Sequence, residues 1–240
     1  MKNSKGTALV TGAAKRLGQA LALYLAGQGY SIALHYHSSK ADAMKIAEKI
    51  HKIGVRCELF SCNLADEKQT QELIPKVHKA FSNLNLLVNS ASIFIPSQLQ
   101  ARDLTLFHAH WNINFKSPYI LSCEFARVCK KGQIINFIDT NVVRNKTRYA
   151  DYLLTKKALL ELTKMAAVQF GPRIRVNGIA PGMILPPVNH QKDDRQTRAQ
   201  RIPLKTVGKS QYILDTLDFL LKNDYVTGQI VAVDGGEQLV

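Results

Sequence analysis

The chain has 240 residues, 46% of them hydrophobic and 21% charged, with 32 Lys and Arg against 18 Asp and Glu for a formal net charge of +14. That size and apolar share suit one domain with a substantial core and exclude a disordered or low-complexity chain. No apolar run approaches the roughly 18 residues that span a bilayer, and Met1–Gly6 lacks the apolar stretch of an export signal, so the cytoplasm is the expected compartment.

Thr7–Thr11 reads as a short apolar strand leading into the turn Gly12–Gly18, and Leu17–Gln28 as a Leu- and Ala-rich helix closed by Gly29. Ser31–Tyr36 is the next predicted strand, followed by an amphipathic helix over Lys40–Ile53 that ends at Gly54. Val55–Ser61 and Asp66–Phe81 repeat the strand–helix pattern. Leu84–Asn89 is a fourth strand, too apolar for an exposed edge. A long helix is predicted over Leu104–Cys129, with a kink or break near Pro118. Gln133–Asp139 is strand five, Tyr149–Phe170 a long helix and Ile174–Ile179 strand six. Gln211–Leu221 is a last helix and Gln229–Val233 a last strand. Such alternation implies right-handed βαβ crossovers and an α/β domain with one parallel sheet covered on both faces. The long irregular stretch Gly182–Lys209 follows strand six, at the sheet end where open α/β folds bind ligands, and is read as a substrate lid.

Four cysteines, Cys57, Cys62, Cys123 and Cys129, have spacings that match neither a redox pair nor a common zinc site, so no metal is expected. The basic residues are spread along the chain without a nucleic-acid-binding signature. The positive surface therefore favours anionic small molecules over a specific nucleic-acid partner.

Chemistry concentrates in three residues. Tyr152 and Lys156 are four apart and share a helix face, so an ammonium stands near a phenol and is expected to lower its pKa. Asp139 offers a carboxylate to the same phenol. Upstream, Gly12 and Gly18 flank a strand-to-helix turn whose helix N-terminus can receive a pyrophosphate.

Thr11-Gly-Ala-Ala-Lys-Arg-Leu-Gly18, with Arg16 at a position for a middle glycine, together with Tyr152-x-x-x-Lys156, resembles the short-chain dehydrogenase/reductase family. Asn89-Ser-Ala-Ser92, Asn114, Pro181-Gly182 and Val233-Asp-Gly-Gly236 extend the resemblance over nearly the whole chain. Leu34-His-Tyr-His-Ser38, Ala91-Ser-Ile-Phe-Ile-Pro96 and Asp139 in place of the usual serine look like the pteridine and dihydromonapterin reductases of that family. The resemblance implies a single Rossmann-type, doubly wound domain over residues 1–240, with about seven strands. It implies Tyr152, Lys156, Asp139 and Asn114 as the catalytic set. Gly12, Lys15, Arg16, Leu17, His35, Tyr36, His37, Ser38, Asn63, Leu64, Asn89, Ala91, Ser92, Tyr152, Lys156, Pro181 and Gly182 would hold the cofactor. Arg16, Phe94, Asp139 and Tyr152 would bind substrate, with Phe94 stacking on a pterin. His108 and His110 have no pattern behind them and receive no role.

The end of strand two, His35-Tyr-His-Ser-Ser39, carries no carboxylate, and Lys15 and Arg16 lie in the adjoining turn. A carboxylate would repel a 2′-phosphate, so NADPH is expected over NADH. Asn63 stands where the family places an aspartate for adenine and keeps one acceptor oxygen. The expected reaction is NADPH-dependent reduction of a dihydropterin of the dihydromonapterin, dihydrobiopterin or dihydrofolate type. One alternative is a reductase of a simple carbonyl or 3-oxoacyl substrate. Another is a catalytically silent NADPH-binding regulator or nucleic-acid-associated protein. By resemblance the assembly is a homotetramer packed through the two long helices and the last strand.

Overall fold

Every residue of β1 (Thr7–Val10) is buried, as befits a parallel strand paired on both sides and covered on both faces. The computed structural model describes residues 5–185 and 195–240. Its seven-stranded parallel sheet runs in the order β3-β2-β1-β4-β5-β6-β7. The other strands are β2 (Ser31–Tyr36), β3 (Cys57–Ser61), β4 (Leu84–Asn89), β5 (Gly132–Phe137), β6 (Ile174–Pro181) and β7 (Ile230–Val233). Strand order reverses between β1 and β4, and a crevice opens at their C-terminal ends. The fold is thus the doubly wound α/β sheet read from the alternation.

Successive side chains of β1 serve opposite faces. Val10 joins Leu21 and Leu25 of α1 (Arg16–Gly27), Ile46 and Ile50 of α2 (Lys40–Ile53), and Ile213 and Leu217 of α8 (Ser210–Lys222). Leu9 joins Leu73 and Ile74 of α3 (Glu67–Ala80) and Leu121 and Phe125 of α5 (Ser117–Val128) on the other side, where α6 (Ala150–Phe170) adds Ala166. Each fully buried leucine or isoleucine contributes about 1.5–3 kcal/mol, so both faces carry the fold.

The predicted Leu104–Cys129 helix is divided. α4 (Leu104–Trp111) passes into a π-helical turn, Asn112–Lys116, and α5 then begins with Pro118 in its first turn. A proline in a first turn has no N–H to lose there, so the widened turn falls just before it. That turn carries Asn114. Within the predicted lid, α7 (Arg195–Ala199) is a short helix the sequence reading did not foresee. The Leu204 N–H bonds to Gly235 O at 3.1 Å and the Gly208 N–H to Met183 O at 3.0 Å, which ties the C-terminal part of the stretch to the strand ends. Residues 186–194 of the lid reading lie outside the described residues.

Candidate active site

A cavity of about 590 Å³ opens at the C-terminal ends of the strands, and the β1–α1 turn forms one end of it. Gly12 has a φ of +66°, and a Cβ there would lie 3.0 Å from Ala91 Cα; a Cβ on Gly18 would collide with the Gly12 carbonyl oxygen. Both positions require glycine. Arg16 has a positive φ of 54°, a conformation that costs a side-chain-bearing residue about 1–3 kcal/mol and is retained mainly at functional turns. No side chain caps the N-terminus of α1 and its first turn holds no acid. Gly12, Lys15, Arg16, Leu17 and Gly18 all line the cavity. A bare helix N-terminus with basic side chains and no room for a Cβ fits a pyrophosphate.

His35 builds this turn and also lines the cavity. Its Nδ1 accepts from the Gly12 N–H at 3.0 Å and its Nε2 bonds to Cys62 O at 3.1 Å. Burial pushes its pKa down to about 4, so the ring is neutral. As a neutral ring His35 adds no positive charge to the cavity wall. Tyr36 is packed in the core and Ser38 stands exposed beyond the cavity lining, whereas His37 lines it. Lys15 Nζ lies 3.1 Å from Asp42 in a largely exposed pair, an attachment of at most about 1 kcal/mol that a phosphate can displace. Asn63 Oδ1 accepts from the Ala65 N–H at 3.0 Å, so one lone pair of the expected adenine acceptor is already engaged.

The expectation for Asn89 is corrected. It is buried in the sheet, where its Nδ2 donates to Asn136 Oδ1 at 2.8 Å and Asn136 in turn donates to Thr163 Oγ1 at 2.9 Å. Thr11, which the sequence reading passed over, organises the loop after β4: its hydroxyl accepts from the Ser90 and Ala91 N–H groups, both at 3.0 Å. Ala91 and Ser92 line the cavity, as do Leu64, Pro181 and Gly182.

The other end of the cavity is built from side chains. Tyr152 Oη donates to Asp139 Oδ2 at 2.9 Å, and Asp139 Oδ1 accepts from Asn141 N (2.7 Å) and Nδ2 (2.8 Å). Lys156 is buried one helical turn on. Its Nζ donates to Phe137 O at 2.7 Å and lies 5.7 Å from the Tyr152 ring centroid. Burial lowers the Lys156 pKa to about 8, against the opposing pull of Asp139. Burial, and then the Asp139 charge, raise the Tyr152 pKa well above its ordinary value. The direction is opposite to the expected lowering by Lys156, because burial, and then the charge of the hydrogen-bonded Asp139, disfavours the phenolate. Tyr152 therefore keeps its proton across the neutral range, with Asp139 fixing its direction.

Asn114 is wholly buried and does not line the cavity. Its Oδ1 accepts from Ser92 Oγ (3.1 Å) and the Ile93 N–H (2.9 Å), and its Nδ2 donates to Ile93 O at 2.9 Å. It thus holds the loop that carries Phe94. Phe94, half exposed, stacks on Tyr149 with centroids 4.1 Å apart and meets Tyr152 edge-on at 4.7 Å. One ring face is taken by Tyr149, which the sequence placed at a helix start without a site role.

His110 was also missed. It is buried, with Nε2 3.2 Å from Ile95 O and Nδ1 3.3 Å from Asn114 Nδ2, and its ring lies edge-on to Tyr152 at 6.2 Å. Its spacing of four from Asn114 was the available signal. Asn141 and Glu237 also line the cavity. Elsewhere, burial raises the thiols of Cys57, Cys62 and Cys129 to about 12, 11 and 11 and keeps them unreactive. No metal-holding cluster and no helix long and apolar enough to cross a membrane occurs among the described residues.

Comparison with known proteins agrees with this geometry. Residues 12–238 match a family described as Enoyl-(Acyl carrier protein) reductase. A 3-oxoacyl-[acyl-carrier-protein] reductase FabG of Staphylococcus epidermidis is 32% identical over 96% of this chain and 98% of its own. Pteridine reductase 1 of Leishmania tarentolae is also 32% identical, over 97% and 96%. The crystal structure of FolM alternative dihydrofolate reductase 1 from Brucella canis, complexed with NADP, superposes with a TM-score of 0.91 at 30% identity, covering 98% of this chain and 95% of that one.

Proposed function

The chain belongs to the short-chain dehydrogenase/reductase family of oxidoreductases, and within it we propose NADPH-dependent reduction of a dihydropterin to the tetrahydropterin. The observation that carries the reading is the 2.9 Å bond between Tyr152 and Asp139. A carboxylate there is a poor partner for carbonyl polarisation, since it offers acceptors where a developing oxyanion needs donors. It suits a substrate whose ring nitrogen must be protonated. The pteridine reductase relative and the NADP-bound Brucella neighbour support the same choice.

The glycine turn would hold the cofactor pyrophosphate, His37, Lys15 and Arg16 the 2′-phosphate end, and Pro181, Gly182 and Lys156 the nicotinamide end. Bound there, NADPH supplies the hydride. The chain's own part is positional and protonic. Tyr152 Oη is the atom that hands a proton into the cavity, and Asp139 Oδ2, which accepts its hydrogen bond, would return one only after the carboxylate has itself taken up a proton from solvent. Lys156 offsets the carboxylate's charge. Asn114 and Thr11 hold the loop that presents Phe94, whose ring offers a flat heterocycle a stacking partner worth about 0.5–1.5 kcal/mol.

A 3-oxoacyl reductase is the second reading, favoured by relatives of equal identity. Steady-state kcat/KM with dihydropterins and with 3-oxoacyl thioesters, each with NADPH and NADH, separates the two. The dihydropterin–NADPH pair should be best by at least about tenfold, and a preference for thioesters rejects the proposal. We extend the reading to a homotetramer, for which Met165 and Val168, 68% and 85% exposed on α6, offer an apolar contact surface; light scattering tests it.

A further inference from the structure

Glu237 lines the cavity yet takes no part in the proton relay or the anion cradle. Its side chain is only 11% exposed. Its ion-pair partner, Lys146 at 3.7 Å from Oε1, is 43% exposed. Oε2 approaches the end of β6, where a Cβ added to Gly182 would lie 3.3 Å from it. A fixed turn holds the carboxylate in place. Asp234 accepts from the Thr140 hydroxyl and from the Gly236 and Gln238 N–H groups, the last two at 2.9 Å, while Arg144 donates to the Val240 carbonyl.

Charge is segregated along the cavity. Lys15 and Arg16 line the glycine-turn end; at the other end Lys156 balances Asp139, which leaves Glu237 as the carboxylate no buried cation offsets. An anion drawn in by the +14 surface therefore meets a carboxylate at the substrate end. The exposed cation Lys146 beside Glu237 is screened by water and offsets little of this, whereas a carboxylate shielded from solvent is screened far less.

We propose that Glu237 is a specificity-determining residue that favours uncharged substrates rich in hydroxyl or amino donors and disfavours substrates bearing a carboxylate. Resting on the dihydropterin reading, this divides that class: pterins with neutral hydroxylated side chains are preferred over dihydrofolate, whose glutamate carries carboxylates. The Glu237 oxygens accept from hydroxyls and repel the acid.

The test uses a matched pair, 6-hydroxymethylpterin and pterin-6-carboxylate. Their Kd values are read from their own fluorescence on NADP+-loaded protein, wild type and Glu237→Gln, beside kcat/KM for dihydrobiopterin and dihydrofolate. Glu237→Gln should improve the carboxylate ligand about tenfold relative to the neutral one, equivalent to about 1.4 kcal/mol. Lys146→Gln should move the ratio the opposite way. An unchanged Kd ratio in Glu237→Gln, or a Lys146→Gln shift in the same direction, overturns the inference even if dihydropterins are reduced. A shifted ratio without dihydropterin turnover supports the charge filter and removes the substrate reading instead.

Discussion

At the glycine-turn end of the cavity the groups offered to a ligand are mostly main chain, namely the turn at Gly12, the uncapped first turn of α1 and the loop held by Thr11. At the Asp139 end they are titratable side chains, each displaced from its usual pKa or bonded to another. Each end also depends on a different ionisable residue. His35 must be neutral to accept from Gly12, whereas Lys156 must be charged to balance Asp139. The first end is a scaffold stiffened by burial. The second is a set of charges whose balance burial has shifted, and the two should fail under opposite conditions.

The sharpest separation comes from removing the relay alone. Tyr152→Phe keeps the ring that packs against Phe94 but deletes the hydroxyl, and Asp139→Asn keeps the shape but deletes the charge. Turnover should fall by about 10²–10⁴ in either variant, the range for general acid–base groups. NADPH should still bind, as read by its fluorescence. Loss of binding alongside turnover would show that the two ends are not separable.

Acid should strike the scaffold. The folded His35 pKa, about 4, lies below its ordinary 6.5, so the unfolded chain takes up the proton first as pH falls. Stability from this residue is complete above about pH 6.5 and is lost as pH drops towards 4, by about 3 kcal/mol in all. Thermal midpoints measured from pH 7 to pH 4 check this, and His35→Gln should flatten the acid limb. Base should strike the charges. Lys156 is protonated below about 8, so kcat/KM should turn down as pH rises through that value, about tenfold per unit. A profile flat to pH 9.5 would separate Lys156's charge from catalysis.

The same contrast explains what could be read before any coordinates. Glycine spacing, strand alternation and the Tyr152–Lys156 interval are local, and they located the fold, the turn and the reactive helix face. Asp139 was legible because resemblance marked its position. The direction of the Tyr152 pKa was not legible, because it depends first on how little water reaches the ring and then on the Asp139 carboxylate bonded to it. Asn89 does not line the cavity despite its place in the motif: motif position specifies where a residue sits but not which neighbour already satisfies it. Asn141 and Glu237 come from separate segments that only the fold brings to one cavity, and Tyr149 reaches it only through its stack on Phe94.

His110 gives the finest test of how far the side-chain end extends. Its Nδ1 faces the Asn114 amide and its Nε2 faces Ile95 O, so it braces both sides of the loop carrying Phe94 without lining the cavity. Burial lowers its pKa, which keeps Nδ1 available as an acceptor and holds the Asn114 amide in one orientation. His110→Phe preserves a flat ring but removes both bonds. The expected result is a five- to tenfold loss in kcat/KM for the pterin, equivalent to about 1–1.4 kcal/mol, with NADPH affinity unaltered. His110→Gln, which can donate to Ile95 O and accept from Asn114, should recover part of it. Equal losses in both variants would reduce His110 to packing, and a loss of NADPH affinity would mean that the loop braces the scaffold end as well.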